Sequence, residues 1–499
     1  MKEQGKNIFF QKIKKEWLWA FGTTVLIGLI AHLYKFVNHL PNWDSLMDYY
    51  YPSHNMIHQG RQFQCVPAFF RGFADVPWVI GLLSLIYLGI MIAMLVELFD
   101  LHNRLTIIMT ASLIVVSPSV ISHWGYMFTA DCYFFAAMLA VASVLVTLRA
   151  KYGFAWGSML LALSIGIYQG YLSLAIGVIL LWLVTQLLAH RNVLKQTISL
   201  GVMGVLALVL YKISLEIMCR LEGIPVENHQ GIGSIRFPGG SELLGAIKQS
   251  YVDTLYYYVG SIANMNLYGV LGAVVLLLLC MYLILWIYHK QIYRQWKELM
   301  LIGICLFLFP CASHIFYFVT DEIVYHALMQ FTLSVIFVLL FWLLERTAGQ
   351  YKKMRTVAWI SAGLLVYVLI IAANMGYQAQ TRSYEKTYAL LNRMVIRMEA
   401  LPDFDEATHI AVIGNLPGTD DSIYGTGPAL AGFTDGYFIT HQKHIVSMLD
   451  DYFGLHLIGV DDARLAEIQT KSDIQMMGAW PQSESVKQIG DTIIIKLSE

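Results

Sequence analysis

The chain has 499 residues, 57% of them apolar and only 13% charged, with a mean hydropathy of +0.58. Soluble globular domains carry roughly twice that share of charge, so lipid is the main solvent of this protein. The formal net charge of −1 leaves no global polybasic character, which argues against nucleic acid as a partner.

From position 17 to about 373 the sequence holds eleven apolar runs. Most are close to the roughly 20 residues a helix needs to cross about 30 Å of hydrocarbon, which predicts a polytopic α-helical membrane protein. The first run, 17–37, follows Lys2, Lys6, Lys12, Lys14 and Lys15 and has no small-residue cleavage site after it. It is therefore expected to stay as the first transmembrane helix, running from the cytoplasm outward. Alternation then puts Arg104, Arg149, Lys151, Arg191, Lys195, Lys290, Arg294, Lys297, Arg346, Lys352, Lys353 and Arg355 in cytoplasmic loops, so that seventeen of the 33 Lys and Arg residues lie on that side. The external membrane loops hold only Arg61, Arg71, Arg220, Arg236 and Lys248, while Lys35 and Lys212 sit near the outer ends of apolar runs where their stems can snorkel. This asymmetry predicts an N-in, C-out topology.

The run 154–167 is short and ends at Tyr168-Gln169-Gly170-Tyr171, which reads as two short helices meeting at a polar break. One continuous helix there would invert every later segment and turn the cationic loops outward, against the charge rule.

Three external segments exceed a turn: 38–75, 218–266, and the tail from 374. The first carries Asp44, Asp48, His54, His58, Arg61, Arg71 and Asp75, with Trp43 and a tyrosine run from Tyr49. The second contains Gly231-Ile232-Gly233 and Phe237-Pro238-Gly239-Gly240, which suit close backbone approach. In the tail, 378–401 reads as an amphipathic helix, 409–415 as a buried strand, 444–452 and 462–471 as helices, and 491–497 as a closing strand. The expected organisation is a cytoplasmic N-terminus (1–16), a transmembrane domain (17–373) and a small extracytoplasmic α/β domain (374–499).

Walker, Rossmann and HExxH motifs are missing, and the six cysteines show neither CxxC spacing nor a histidine partner at ligand spacing, so they read as packing residues. What remains is a set of acids and bases at the outer ends of helices, where charge near lipid marks a functional hypothesis by default. Asp44 and Asp48 follow the first helix, Asp131 opens the fourth, and Asp321 and Glu322 lie between His314 and His326. Such carboxylates can take a proton from a hydroxyl acceptor, and Arg61, Arg71 or Arg236 can hold a phosphate by bidentate hydrogen bonds. The duller readings are a helix cap for Asp131, interfacial packing for His123, His314 and His326, and an aromatic belt for tyrosines 256–258.

The chain resembles the bacterial Gtr-type (GtrII-like) glucosyltransferases, a branch of the lipid-donor glycosyltransferases with the C-type (GT-C) membrane fold. The likeness rests on Asn42-Trp43-Asp44, Gln59-Gly60-Arg61, Ser117-Pro118 ahead of Tyr126-Met127-Phe128-Thr129-Ala130-Asp131, the 168–171 break, and the helix 384–398 leading into HIAVIGN. The resemblance implies transfer of a glucosyl or related hexosyl residue from an undecaprenyl-phosphate donor to a cell-surface polysaccharide, teichoic acid or lipid-linked glycan. It places the chemistry on the extracytoplasmic face of a bacterial cytoplasmic membrane. By position in the first external loop, Asp44 maps onto the catalytic base of the fold class. Because Ser45 stands where relatives often carry a second acid, the choice between Asp44 and Asp48 stays open. Arg61, then Arg71 and Arg236, are the candidates for the donor phosphate, with Asp131, Tyr168 and Gln169 shaping the cavity or binding sugar hydroxyls. No metal ligand set is assigned, although a divalent cation between Asp44 and Asp131 fits the chemistry. The competing readings are a transporter or flippase of lipid-linked sugars, which favours charges deep in the spans and repeated halves, and an envelope scaffold whose tail binds a partner.

Overall fold

The computed structural model describes residues 14–46, 57–225, 238–260, 266–320, 323, 325–347, 350–416, 428, 430–439 and 442–498. They form two compact units, one made of 1–38, 51–374 and 424–431 and the other of 39–50, 375–423 and 432–499.

The first unit is helical. Among the described residues nine helices are long and apolar enough to cross a membrane, from Lys15–Val37 to Lys352–Glu399. Two further apolar stretches depart from a simple span. The run 104–125 is bent by 41° between Arg104–Val115 and Pro118–Gly125, at Ser117-Pro118, because proline has no N–H to donate back into a helix and its ring clashes with the preceding turn. Gly153–Ile167 has 15 residues, about 22 Å at 1.5 Å per residue, which is short of the hydrocarbon thickness. The chain breaks after it at Tyr168 and restarts at Tyr171–Leu188.

Burial sorts the spans. Ala327–Arg346 is 89% buried over its most apolar window and Leu194–Glu222 only 22%; the first is enclosed by other helices, while the second leaves Val205, Val209 and Ile213 exposed, as lipid requires. Small residues bring the enclosed helices together. Gly157 lies so close to Thr147 and the Ser143 carbonyl that a Cβ would overlap both, and Ser158 Oγ donates to the Met203 carbonyl across helices (3.1 Å).

Charged ends pair at one end of the bundle. Lys14 meets Glu97 (2.7 Å), Arg346 meets Asp100 (3.1 Å), and the Glu345 carboxylate accepts from the backbone N–H groups of His102 and Asn103. The segments around 57–76, 126–129 and 314–326 are separated from these by one span each, and so gather at the other end.

The second unit is a four-stranded sheet in the order β2 (Ile458–Gly459), β1 (His409–Ile413), β4 (Thr492–Lys496), β3 (Val486–Ile489). β1 runs parallel to both its neighbours and β3 and β4 form an antiparallel hairpin. Alternation along the strands sends Ile410, Val412, Ile493 and Ile495 to one face, against Leu390, Met394, Met398, Met448 and Leu449. Ala411, Ile413 and Ile494 go to the other, against Ile468, Ile474 and Met477. The first face includes a sequence-distant piece: Leu46 is buried in it and Trp43 packs against it. The helix Lys352–Glu399 is continuous through the boundary at 374–375, where the sequence suggests an apolar run followed by a separate helix. A single register of 48 residues serves both, because no proline or glycine pair interrupts it.

Candidate functional site

The polar break after the 153–167 helix is the first element of the site. Gln169 Nε2 donates to the carbonyls of Gln59 (2.8 Å) and Gly60 (2.9 Å), and Tyr211 Oη donates to the same Gly60 carbonyl (3.1 Å). Gly60 has φ +73°, and a Cβ there would stand 2.5 Å from both Gln169 Nε2 and Tyr211 Oη; only glycine fits this turn. Clamped in this way, the next residue, Arg61, lays its guanidinium over the Tyr168 ring, 5.3 Å from the centroid. Its Nε is buried and has no hydrogen-bond partner among the described residues. Three sequence-predicted residues, Arg61, Tyr168 and Gln169, thus come together.

Two others meet elsewhere and satisfy each other. Arg71 Nε donates to Asp131 Oδ2 at 2.9 Å with both side chains fully buried, Arg71 Nη2 donates to the Phe128 carbonyl (2.7 Å) and Nη1 to the Ala74 carbonyl. This pair ties the 65–76 segment to the start of the Ala130–Arg149 helix. With both side chains buried, the pair has the geometry of a staple.

Asp44 belongs to the second unit. It sits half-buried in the 3-10 turn Trp43–Leu46, which is closed by reciprocal bonds: Ser45 N–H donates to Asn42 Oδ1 (3.0 Å) and Asn42 N–H to Ser45 Oγ (3.0 Å). Ser45 therefore has a structural task in closing this turn. Asp48, Arg236, Asp321, Glu322 and the glycines at 231 and 233 lie outside the described residues. Among those described, no group of three or more His, Cys, Asp or Glu gathers to hold a metal. Of the two carboxylates weighed for a divalent ion, Asp131 is engaged by Arg71.

A polar opening in the first unit is one that sequence reasoning missed. A cavity of about 380 Å³ is lined by Asp253, Tyr256, Tyr257, Tyr317, Tyr325 and Gln330, among others. It exists because 240–259, expected as loop, is a 20-residue helix. The Glu242 carboxylate accepts from the Gly239 N–H at its start (3.0 Å), and Pro238-Gly239-Gly240 followed by Glu242 is the signal that could have revealed it. Asp253 Oδ2 accepts from Tyr317 Oη (2.7 Å) and Oδ1 from Gln249 Nε2 (2.8 Å). His314 Nδ1 donates to the Pro310 carbonyl (3.0 Å), so its Nε2 is the acceptor for Gln330 Nε2 (3.1 Å). Burial lowers the His314 pKa and keeps the ring neutral, with the Pro310 carbonyl and Asp253 opposing. Burial likewise pushes the hydroxyls of Tyr317 and Tyr325 up, with Asp253 adding to both, so each remains a proton donor at neutral pH. Tyr168, which carries Arg61 on its ring, is also among the electrostatic neighbours of Tyr325. Behind the wall, Tyr257 Oη bonds to Ser119 and Ser334, and His123, with Nδ1 on the Ser119 carbonyl, accepts from Tyr171 Oη (2.8 Å). His123 is fully buried and packs among rings, in keeping with its structural reading.

Fold and site together define a multi-pass helical membrane protein with an aromatic, hydrogen-bonding cavity of the size used for small polar ligands. The family model "Glucosyl transferase GtrII" matches residues 33–344, which is more than half of the chain and includes Asp44, Arg61, Asp253 and Gln330; the protein belongs to the GtrII glucosyltransferase family and is a membrane glycosyltransferase. No curated protein and no solved structure matches the chain. The matched region ends at the enclosed 327–346 span, so the α/β part of the second unit is outside it.

Proposed function

We propose that the protein moves a glucosyl or related hexosyl residue from an undecaprenyl-phosphate donor to a hydroxyl of a cell-surface glycan, at the outer face of a bacterial cytoplasmic membrane. The observation that carries this reading is the buried Arg61 Nε, which has no hydrogen-bond partner among the described residues. A buried guanidinium nitrogen without a partner is costly, and an anionic ligand relieves the cost. In a glycosyltransferase, a sugar phosphate is the anion that fits. A lipid-borne phosphate suits a site built among spans, since the bilayer presents the donor directly.

In the transfer, the acceptor oxygen forms a bond to the anomeric carbon as the bond from that carbon to the phosphate oxygen breaks. The lipid phosphate leaves with the electron pair, stabilised by Arg61. The acceptor proton passes to a carboxylate, which the resemblance assigns to Asp44, with Asp48 in reserve. A single displacement of this kind inverts the anomeric centre.

The test uses purified full-length protein in liposomes with radiolabelled polyprenyl-phosphate glucose and membrane glycan acceptors. Label in a new glycan supports the reading. Label carried across the bilayer with no new bond replaces it with a flippase. Arg61→Ala is expected to raise the donor KM at least tenfold, and an unchanged KM removes Arg61 from the phosphate site.

A further inference from the structure

A second cavity of about 310 Å³ adjoins the first, lined by Pro238, Glu242, Gly245, Gln249, Tyr317 and Thr320, among others. Tyr317 and Ile323 form walls of both. Asp253 lines one cavity, and Gln249, one helical turn earlier, lines the other. The Gln249–Asp253 and Asp253–Tyr317 hydrogen bonds run between them, so both oxygens of the carboxylate are held at the partition. One helix therefore presents two adjoining polar pockets, each near the lower end of the roughly 300–1,000 Å³ typical of small-molecule sites.

Their order is set by chemistry already described. The Asp253–Gln330 cavity holds Tyr325, the electrostatic neighbour of Tyr168 and hence of the Arg61 cluster. The second cavity begins at the start of the 240–259 helix, where Glu242, Gly245 and Gln249 are exposed.

We propose that the 240–259 helix carries two sugar subsites divided by Tyr317: a donor hexosyl subsite around Asp253, Tyr257 and Gln330, and an acceptor-glycan subsite around Gly245, Gln249 and Thr320. Asp253 is the positioning residue at their junction, holding Tyr317 and Gln249 so that the acceptor hydroxyl faces the donor's anomeric carbon. This rests on the glycosyltransferase reading above.

The experiment separates the two sides. Native membranes carrying the full chain, with their own glycans as acceptor, receive radiolabelled polyprenyl-phosphate glucose. Incorporation into glycan, release of free glucose and the donor KM are then measured. Gly245→Trp fills the acceptor pocket, and its Cβ enters open space. It is expected to cut incorporation about tenfold or more while the donor KM stays within twofold. Gln249→Ala, which adds no bulk, is expected to cut incorporation about threefold to tenfold, as for one lost hydrogen bond. Gln330→Ala is expected to do the reverse, raising the donor KM. Incorporation unchanged in both Gly245→Trp and Gln249→Ala, or a donor KM that rises equally in all three variants, overturns the two-subsite assignment and leaves the glycosyltransferase reading standing. Wild-type membranes that neither incorporate nor release glucose sink that reading, and the subsites with it.

Discussion

Tyr317 donates a 2.7 Å hydrogen bond to Oδ2 of Asp253, 64 positions away in sequence. That bond fastens the helix 240–259 to the turn after the Trp296–Ser313 span, and so fixes the mouth of the cavity. Burial and the carboxylate together hold the Tyr317 hydroxyl protonated, so Tyr317 is always the donor and Asp253 always the acceptor at neutral pH.

Removing that donor leaves the carboxylate one bond short. Tyr317→Phe is expected to lower kcat/KM about tenfold to a hundredfold, in line with roughly 1.5–3 kcal/mol for a hydrogen bond to a charged group. Asp253→Asn should cost at least as much, since it loses the charge at the junction. Steady-state transfer kinetics check both; a Tyr317→Phe enzyme within twofold of wild type contradicts the role given to the pair.

Asp44→Asn keeps the size of the side chain and deletes the base. Transfer is expected to fall by about 10²–10⁴-fold with the donor KM little changed. Asp48→Asn should cost far less, and the opposite ranking would hand the role to Asp48.

The Arg71–Asp131 pair separates structure from binding. Arg71→Ala or Asp131→Asn strands a buried charge, with an expected loss of about 3–5 kcal/mol, visible as a lower midpoint of thermal unfolding in detergent. A double apolar replacement, Arg71→Met with Asp131→Leu, should recover most of that loss. If Arg71→Ala instead leaves stability intact and raises the donor KM, the arginine binds phosphate after all.

Gly60→Ala places a Cβ 2.5 Å from Gln169 Nε2 and Tyr211 Oη at a φ of +73°. The turn that presents Arg61 should shift, and the donor KM should rise without a comparable loss of global stability. Matching falls in the unfolding midpoint and the KM would point to a general packing defect instead.

The His314 imidazole gives a pH dependence of known sign. Burial holds its folded pKa below the ordinary imidazole value of about 6.5, so the neutral ring's contribution is complete above about pH 6.5. It is lost as pH falls toward the folded pKa, when protonated Nε2 no longer accepts from Gln330. Folding stability should be flat from about pH 8 to 6.5 and fall below, while donor affinity should hold past about pH 6.5 and weaken only as pH nears the lower folded pKa. The Gln330→Ala variant, having no bond to lose, should show a shallower acid limb in the same titration.

The sequence alone determined that this is a multi-pass membrane protein, because hydrocarbon excludes charge and the spans declare themselves by length and apolarity, and because cations mark one set of loops. It also showed the break at 168–171 and the strands near 409–413 and 492–496, where local chemistry suffices. Arg61, Tyr168 and Gln169 were each legible as candidates beside a glycine or a helix end, but that they meet is a result of the fold. Tertiary structure decided the rest. Whether Arg71 binds a ligand or pairs with Asp131 depends on packing between segments 60 positions apart, which local pattern does not encode. Asp253 looks like an ordinary loop acid until the 240–259 helix brings it to Tyr317. Trp43 and Leu46 belong to the core of the α/β unit for the same reason: burial is a property of the assembled surfaces, and only the folded chain specifies which residues share one.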